Sequence, residues 1–176
     1  RRQRQMCIRD RLNGMSVTKP FNVQANLCKL NPGVSEEDYD AMLGDYLDWA
    51  KKNNVEPVLV RQKPVFSHAN ANNPWPYDFV EFLAMDDYER WGKSWDMWLT
   101  SKDGAALNER WQSLAMCNVK QAHGLVLFAD TDAMLGDDER YVSWNWCTPK
   151  VGWEQREQKH TDYVTEIKSD SAGMIG

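Results

Sequence analysis

Cysteine and histidine are scarce in this chain, with four Cys and three His among 176 residues. No CxxC pair and no Cys/His spacing of the zinc-binding kind occurs, so no structural metal is expected. Cys7 apart, Cys28, Cys117 and Cys147 are an odd set. Three buried free thiols are expected, the alternative being a Cys28–Cys147 bridge between neighbouring strands. No apolar run approaches the roughly 18 residues of a membrane-spanning helix, so a span of that kind is not expected. No apolar stretch of the secretory-signal type is visible, which leaves the compartment open and slightly favours the cytoplasm. No basic stripe interleaved with aromatics is found, and nucleic acid is not an expected partner.

What is present suits a folded protein. Apolar residues make up 42% and charged residues 27%, with nine Trp, enough to bury a core without disulfides or metals. The length suits one large domain or two small ones. The net charge of −5 is uneven: residues 1–11 hold five Arg and one Asp (+4), so the rest carries −9. Met6-Cys7-Ile8-Arg9-Asp10-Arg11 resembles a translated sequencing-adapter read-through. Residues 1–20 are therefore expected to be a non-native or disordered segment and are set aside from fold reasoning.

Phe21 to Leu30 alternates like a strand, Val23, Ala25 and Leu27 against Gln24, Asn26 and Cys28. Asn31-Pro32-Gly33 turns the chain, and Ser35 followed by Glu36, Glu37 and Asp38 reads as a helix start. Tyr39, Met42, Leu43, Tyr46 and Ala50 then fall on one helical face, and 51–54 close the helix. Val55 to Phe66 is expected as a second strand and Asp78 to Met85 as a third, with a polar Asn-rich loop between them. Asp86 or Asp87 caps a second helix carrying Trp91, Trp95 and Trp98, interrupted at Asp103-Gly104 and continued through Leu107, Trp111, Leu114 and Ala115. The tryptophan stripe is read as core packing or a subunit interface. Val119 to Phe128 is expected as the fourth strand. The order is β-α-β-β-α-β, a ferredoxin-like α+β unit over residues 21–136.

Val142, Asn145, Cys147 and Gly152 repeat Val23, Asn26, Cys28 and Gly33 at a constant offset of 119. A helical stretch from about Trp153 to Lys168 follows, as the first helix follows the first strand. Residues 137–176 are thus expected to form a partial second repeat, one strand and one helix, which is either the start of a second copy that is cut short or a strand and helix that dock on the first unit.

A strand, a Pro-Gly turn and an acid-capped helix opening such a unit resemble the dimeric α+β barrel superfamily. The resemblance covers roughly Phe21 to Ala129 plus the partial repeat. It implies two units pairing their sheets into a barrel, as a homodimer or in tandem. Proteins of this kind include antibiotic-biosynthesis-type monooxygenases, EthD-like and NIPSNAP-like proteins, haem-degrading enzymes, chlorite dismutases and muconolactone isomerases. No catalytic motif of these matches, so no catalytic residue is carried over from them. Haem bound through a histidine is an alternative that the resemblance allows, but no cofactor is the expectation.

Alternation assigns the sheet faces. Ala25, Leu27, Val58, Val60, Val80, Phe82 and Ala84 are expected against the helices. Asn26, Cys28, Leu59, Arg61, Glu81 and His123 are then expected in the barrel. Glu81 and His123 are candidate general acid and base, with His68 as a third catalytic candidate. Asn26, Arg61, Asn70, Trp75 and Tyr77 are candidate substrate-binding residues, Arg61 anchoring an anionic group. The alternative, weighted about two to one over function, is a structural Arg61–Glu81 pair with His123 as an interior histidine. The loop Ser67 to Tyr77 is longer than the roughly two to five residues of most hairpin loops, and covers a pocket or merely packs on itself. The leading expectation is a protein that binds a small anionic or aromatic metabolite, as a cofactor-independent monooxygenase or isomerase. The rival is a non-catalytic binding or oligomerisation module.

Overall fold

The computed structural model describes residues 19–65, 75–126 and 150–170. β1 (Phe21–Leu30) runs into a turn where Gly33 takes a φ of 84°, a conformation that costs glycine nothing. The side-chain amide of Asn31 donates to the carbonyls of Gln112 and Ser113, tying this turn to the far end of the chain's third helix. α1 (Glu36–Lys52) begins with a reciprocal cap: Ser35 Oγ accepts from the Asp38 N–H, and the Asp38 carboxylate accepts from the Ser35 N–H. The Ser35 hydroxyl and the Ser35 N–H, both donating to the carboxylate, hold the Asp38 carboxyl below its ordinary value.

β2 (Val58–Gln62) is shorter than the expected Val55 to Phe66. Val55 is instead tucked under the end of α1, donating its N–H to the Ala50 carbonyl and packing with Trp49 and Trp98. Pro57 has no N–H to offer a ladder, so pairing starts one residue later. β3 (Phe79–Met85) leads to α2 (Tyr88–Thr100), capped by the Asp87 carboxylate, which accepts from the N–H groups of Glu89 and Arg90.

The interruption expected at Asp103-Gly104 falls at Ser101, which ends α2 and caps α3 (Lys102–Leu114) by accepting from the Gly104 N–H. β4 (Ala115–Gly124) starts four residues before the expected Val119. The chain passes from Leu114 in the helix to Ala115 in the strand with no turn residue between, so helical periodicity overran the boundary. α4 (Trp153–Asp170) follows near where a helix was expected. The strand expected around Val142 to Cys147 lies outside the described residues.

The sheet order is β2-β3-β1-β4, antiparallel throughout. With α1 joining β1 to β2 and α2–α3 joining β3 to β4, this is the ferredoxin-like fold. Helices α1, α2 and α3 cover one face of the sheet, and most of the core lies between. Cys28, Tyr39, Met42 and Phe79 form one buried cluster, Trp49, Ala50, Val55 and Trp98 a second, and Leu83, Met85 and Trp91 a third.

These contacts reverse the face assignment made from alternation. Cys28, Phe79, Leu83 and their neighbours on the same row, Asn26, Arg61 and Glu81, face the helices. Ala25, Leu27 and Val80 lie on the opposite face, under Trp75, Tyr77 and Phe82. The thiols are corrected too: Cys28 and Cys117 stand opposite each other on β1 and β4 and form a disulfide. Cys147 lies outside the described residues. Among the described residues no helix is long and apolar enough to cross a membrane.

Candidate functional site

Glu81 sits at the middle of the sheet, opposite Arg61 on β2 and Asn26 on β1. It is 2% exposed, and a carboxylate at that depth needs partners. Tyr39 Oη of α1 donates to Glu81 Oε2 at 2.9 Å, and Arg61 Nε donates to Oε1 at 3.1 Å. Arg61 also pairs with Asp40 of α1, and its guanidinium lies 4.9 Å from the Tyr39 ring centre and 5.1 Å from that of Phe79. Its Nη2 is buried without a partner among the described residues.

The tyrosine is itself held. Trp111 Nε1 of α3 donates to Tyr39 Oη at 2.9 Å. On the other side, Trp95 Nε1 of α2 donates to Gln24 Oε1 at 3.1 Å, and Gln24 Nε2 donates to Asn26 Oδ1 at 2.7 Å. Each helix thus brings an aromatic ring with a polar tip, and the polar row of the sheet supplies acceptors.

Burial raises the Glu81 carboxyl above the ordinary glutamate range, outweighing the Arg61 charge and the hydrogen bonds of Tyr39, Arg61 and Asn26, which favour the charged form. Burial and the neighbouring Glu81 charge push the Tyr39 phenol far above its usual value, so it stays a proton donor. For Arg61, burial opposes the charge, but Glu81 and Asp40 override it and the pKa rises.

A cavity of about 60 Å³ opens beside this network. Glu81, Tyr39, Gln24 and Asn26 contribute its polar wall, and Trp91, Trp95, Trp98 and Trp111 much of the rest, with Leu59 and Leu83 beneath. At roughly 10–15 Å³ per water by this kind of measure, it holds several waters or a ligand of a handful of heavy atoms. The indole N–H of Trp91 is buried with no acceptor among the described residues. Such a wall can bind an apolar body, present a carboxyl of raised pKa, and exclude bulk water.

The residues singled out from sequence are thereby sorted. Asn26 and Glu81 line the cavity; Arg61 supports Glu81 but is absent from the lining. His123 is on the same sheet face but at its far end, opposite Asn22, stacked on and hydrogen-bonded to Tyr88. Four residues of β1 separate the Glu81 row from the His123 row, about 13 Å at the rise of a strand, so the two do not form an acid–base pair. Trp75 and Tyr77 pack on the opposite face, edge to face with each other. His68 and Asn70 lie outside the described residues. Among the described residues no three His, Cys, Asp or Glu side chains gather as a metal site. Tyr39, Gln24, Trp91, Trp95 and Trp111 were not anticipated as site residues. Their signal was a set of helical aromatics with N–H and O–H groups, which once buried must find acceptors.

Strand order and site together define a ferredoxin-like α+β protein with a small cavity between sheet and helices. No protein-family model and no curated protein matches the chain. Similar solved structures include a protein of Arabidopsis thaliana, 10% identical, with a TM-score of 0.44 over 59% of this chain and 92% of that one. A dabb-family protein of ferredoxin-like fold from Mesorhizobium loti is 9% identical, TM-score 0.42, over 61% and 97%. The hydroxynitrile lyase of Passiflora edulis is 8% identical, TM-score 0.42, over 60% and 93%. The fold assignment rests on the strand order.

Proposed function

We propose that the cavity between the sheet and helices α1 to α3 binds a small, largely apolar or aromatic molecule and that Glu81 moves a proton on it. The observation that carries this is the buried Glu81 carboxyl in the cavity wall, held by Tyr39 and Arg61 and raised in pKa. A carboxylate so placed takes a proton from carbon or oxygen of the ligand and returns it to another atom, and a raised pKa suits that task near neutral pH. Tyr39, fixed by Trp111, is a positioning residue that keeps the carboxyl turned. Of the reactions expected from sequence, proton transfer of the isomerase kind is favoured over oxygenation.

The reading is tested by incubating the protein with a panel of small ketones and aldehydes in D₂O and following α-carbon exchange by NMR. Exchange above the buffer rate that disappears in Glu81→Gln supports it. Exchange that Glu81→Gln leaves unchanged, or no exchange above buffer with any panel member, favours the second reading, a non-catalytic binding module. That reading draws on the direct opposition of Arg61 and Glu81 in the sheet, the geometry of a structural cross-strand pair.

Self-association is part of the same proposal. Among the described strands β2 and β4 form the edges, and Met116 on β4 is 69% exposed, features that favour pairing with a second copy. Sedimentation that shows only a monomer at high concentration would count against it.

A further inference from the structure

We infer that the hydroxyl of Ser94 on α2 recognises the guest of this cavity, and that the guest is a neutral molecule with a hydrogen-bonding oxygen on a small apolar ring. This rests on the reading of the cavity as a binding site and adds the residue and the chemical class that set its specificity.

Position 94 suits serine poorly unless a partner arrives from outside the protein. Trp91, Ser94 and Trp98 follow one another at helical spacing on α2, and all three are buried and line the cavity. Serine is less favourable than alanine inside a helix, and a buried hydroxyl without a partner lowers stability. Thr100 and Ser101, at the end of the same helix, avoid that loss by donating to the carbonyls of Asp96 and Met97, four residues back. Ser94 is only 6% exposed, and its hydroxyl makes no such bond, nor any other among the described residues. A local rule broken with no compensating contact marks a functional position.

The other polar groups of the lining are engaged or closed off. Glu81 accepts from Tyr39 and Arg61, and the Tyr39 hydroxyl accepts from Trp111. Gln24 accepts from Trp95 and donates to Asn26. Tyr46, the second phenol of the lining, is engaged as well. The nitrogen of Trp91 is sealed off by the surrounding protein, whereas Ser94 Oγ is not among the sealed atoms. Ser94 is therefore the lining group left open to a guest, and its hydroxyl can both donate and accept. The indole rings around it suit an apolar body. About 60 Å³ is the room of roughly four to six waters, which a single small ring with one substituent fills. No Lys, Arg or His side chain stands among the described lining residues, and Arg61, with its unpartnered Nη2, lies outside them. An anion beside Glu81 would have no cation in the lining to offset it.

Phenol, fluorobenzene and benzoate separate the cases. They share one ring and carry, in turn, a hydroxyl, a substituent that hydrogen-bonds poorly, and a charge. Each is titrated into the ¹⁵N-labelled full chain while the tryptophan indole N–H signals are followed. The expected result is that Ser94→Ala weakens phenol binding about fivefold, the worth of one hydrogen bond, and leaves fluorobenzene binding unchanged. The free variant should unfold in urea no earlier than the parent, because no bond is lost and helix propensity is gained. A variant that unfolds earlier, or fails to fold, would show that the hydroxyl holds the structure together and would overturn the inference. Phenol weakened no more than fluorobenzene, or a parent that takes fluorobenzene and not phenol, would overturn the role of Ser94 and leave the cavity reading standing. Benzoate binding more tightly than phenol would mean that a guest reaches the Arg61 Nη2, and would overturn the neutral class. If no probe moves a lining indole, the cavity reading falls, and this inference with it.

Discussion

Tyr39 and Glu81 are 42 residues apart in sequence, and the tyrosine hydroxyl donates to the carboxylate at 2.9 Å, joining the first helix to the third strand through the core. The same hydroxyl oxygen accepts from Trp111, so one phenol links α1, α3 and β3. Buried polar chains of this kind are costly when incomplete, because each member relies on the next.

Removing that phenol should be felt twice. In Tyr39→Phe the Glu81 carboxyl loses a donor and the Trp111 N–H loses its acceptor, a cost of about 1–3 kcal/mol in unfolding free energy. The Tyr39 bond favours the charged carboxylate, so its loss raises the Glu81 pKa further. Urea unfolding of the two proteins at several pH values checks both effects. A variant as stable as the parent would mean that the hydroxyl is not buried as described.

The pH dependence of stability should carry the mark of Glu81. Its folded pKa lies above the ordinary value of 4.5, so the native state binds the proton more tightly than the unfolded chain. The Glu81 contribution is therefore fully present below pH 4.5 and is lost as pH rises through the raised value. Glu81→Gln removes this dependence. The parent should lose stability relative to the variant as pH rises from below 4.5 through the raised value, measured as urea midpoints. The opposite slope would show that the Arg61 charge outweighs burial.

Local features were legible in the sequence, and the sheet faces were not. The Ser35 cap, the run of β1 and the Asp87 cap follow from short-range chemistry, which neighbouring residues settle. The faces of β1 were reversed because the rule that apolar residues face helices assumes apolar helices. Here Tyr39, Trp95 and Trp111 bring hydroxyl and N–H groups to the sheet, so the row of Gln24, Asn26 and Glu81 is the one they need. Glu81 and Asn26 were singled out as polar residues of a barrel interior, and the structure places them instead in the lining of a cavity under the helices. The Cys28–Cys117 pairing was hidden for a different reason: it depends on a β4 that starts at Ala115, and the helical periodicity, which runs on through Ala115, masks that start.

The disulfide should contribute measurably to stability. Cys28 and Cys117 are 89 residues apart and join the central strand β1 to β4, so the bond removes much freedom from the unfolded chain. A loss of about 2–4 kcal/mol is expected in Cys28→Ala/Cys117→Ala, and a similar loss on reduction of the parent. Thiol titration of the denatured chain without reductant checks the premise. Four free thiols, the full complement of the sequence, would show that the bond does not form.

Gly104 offers a test of how α2 meets α3. It lies inside α3, where replacing glycine by alanine ordinarily gains up to about 1 kcal/mol of helix stability. Here an added Cβ would stand 2.6 Å from the Met97 carbonyl oxygen, 2.8 Å from Ser101 Oγ and 2.9 Å from Trp98 Cα. Two of those three atoms are backbone and cannot swing aside, so relief requires α2 and α3 to part. That movement would carry Trp98 away from Tyr46 and Trp49, with which its ring packs at 5.3 and 5.4 Å. Overpacking of this kind costs about 1–3 kcal/mol, which exceeds the propensity gain. Gly104→Ala should therefore lower the urea midpoint and disturb the near-UV signal of the tryptophans. Gly92 on α2, where an added Cβ meets nothing within 4 Å, is the control: Gly92→Ala should be neutral or stabilising. If both substitutions stabilise, the close approach of α2 to α3 is not as described.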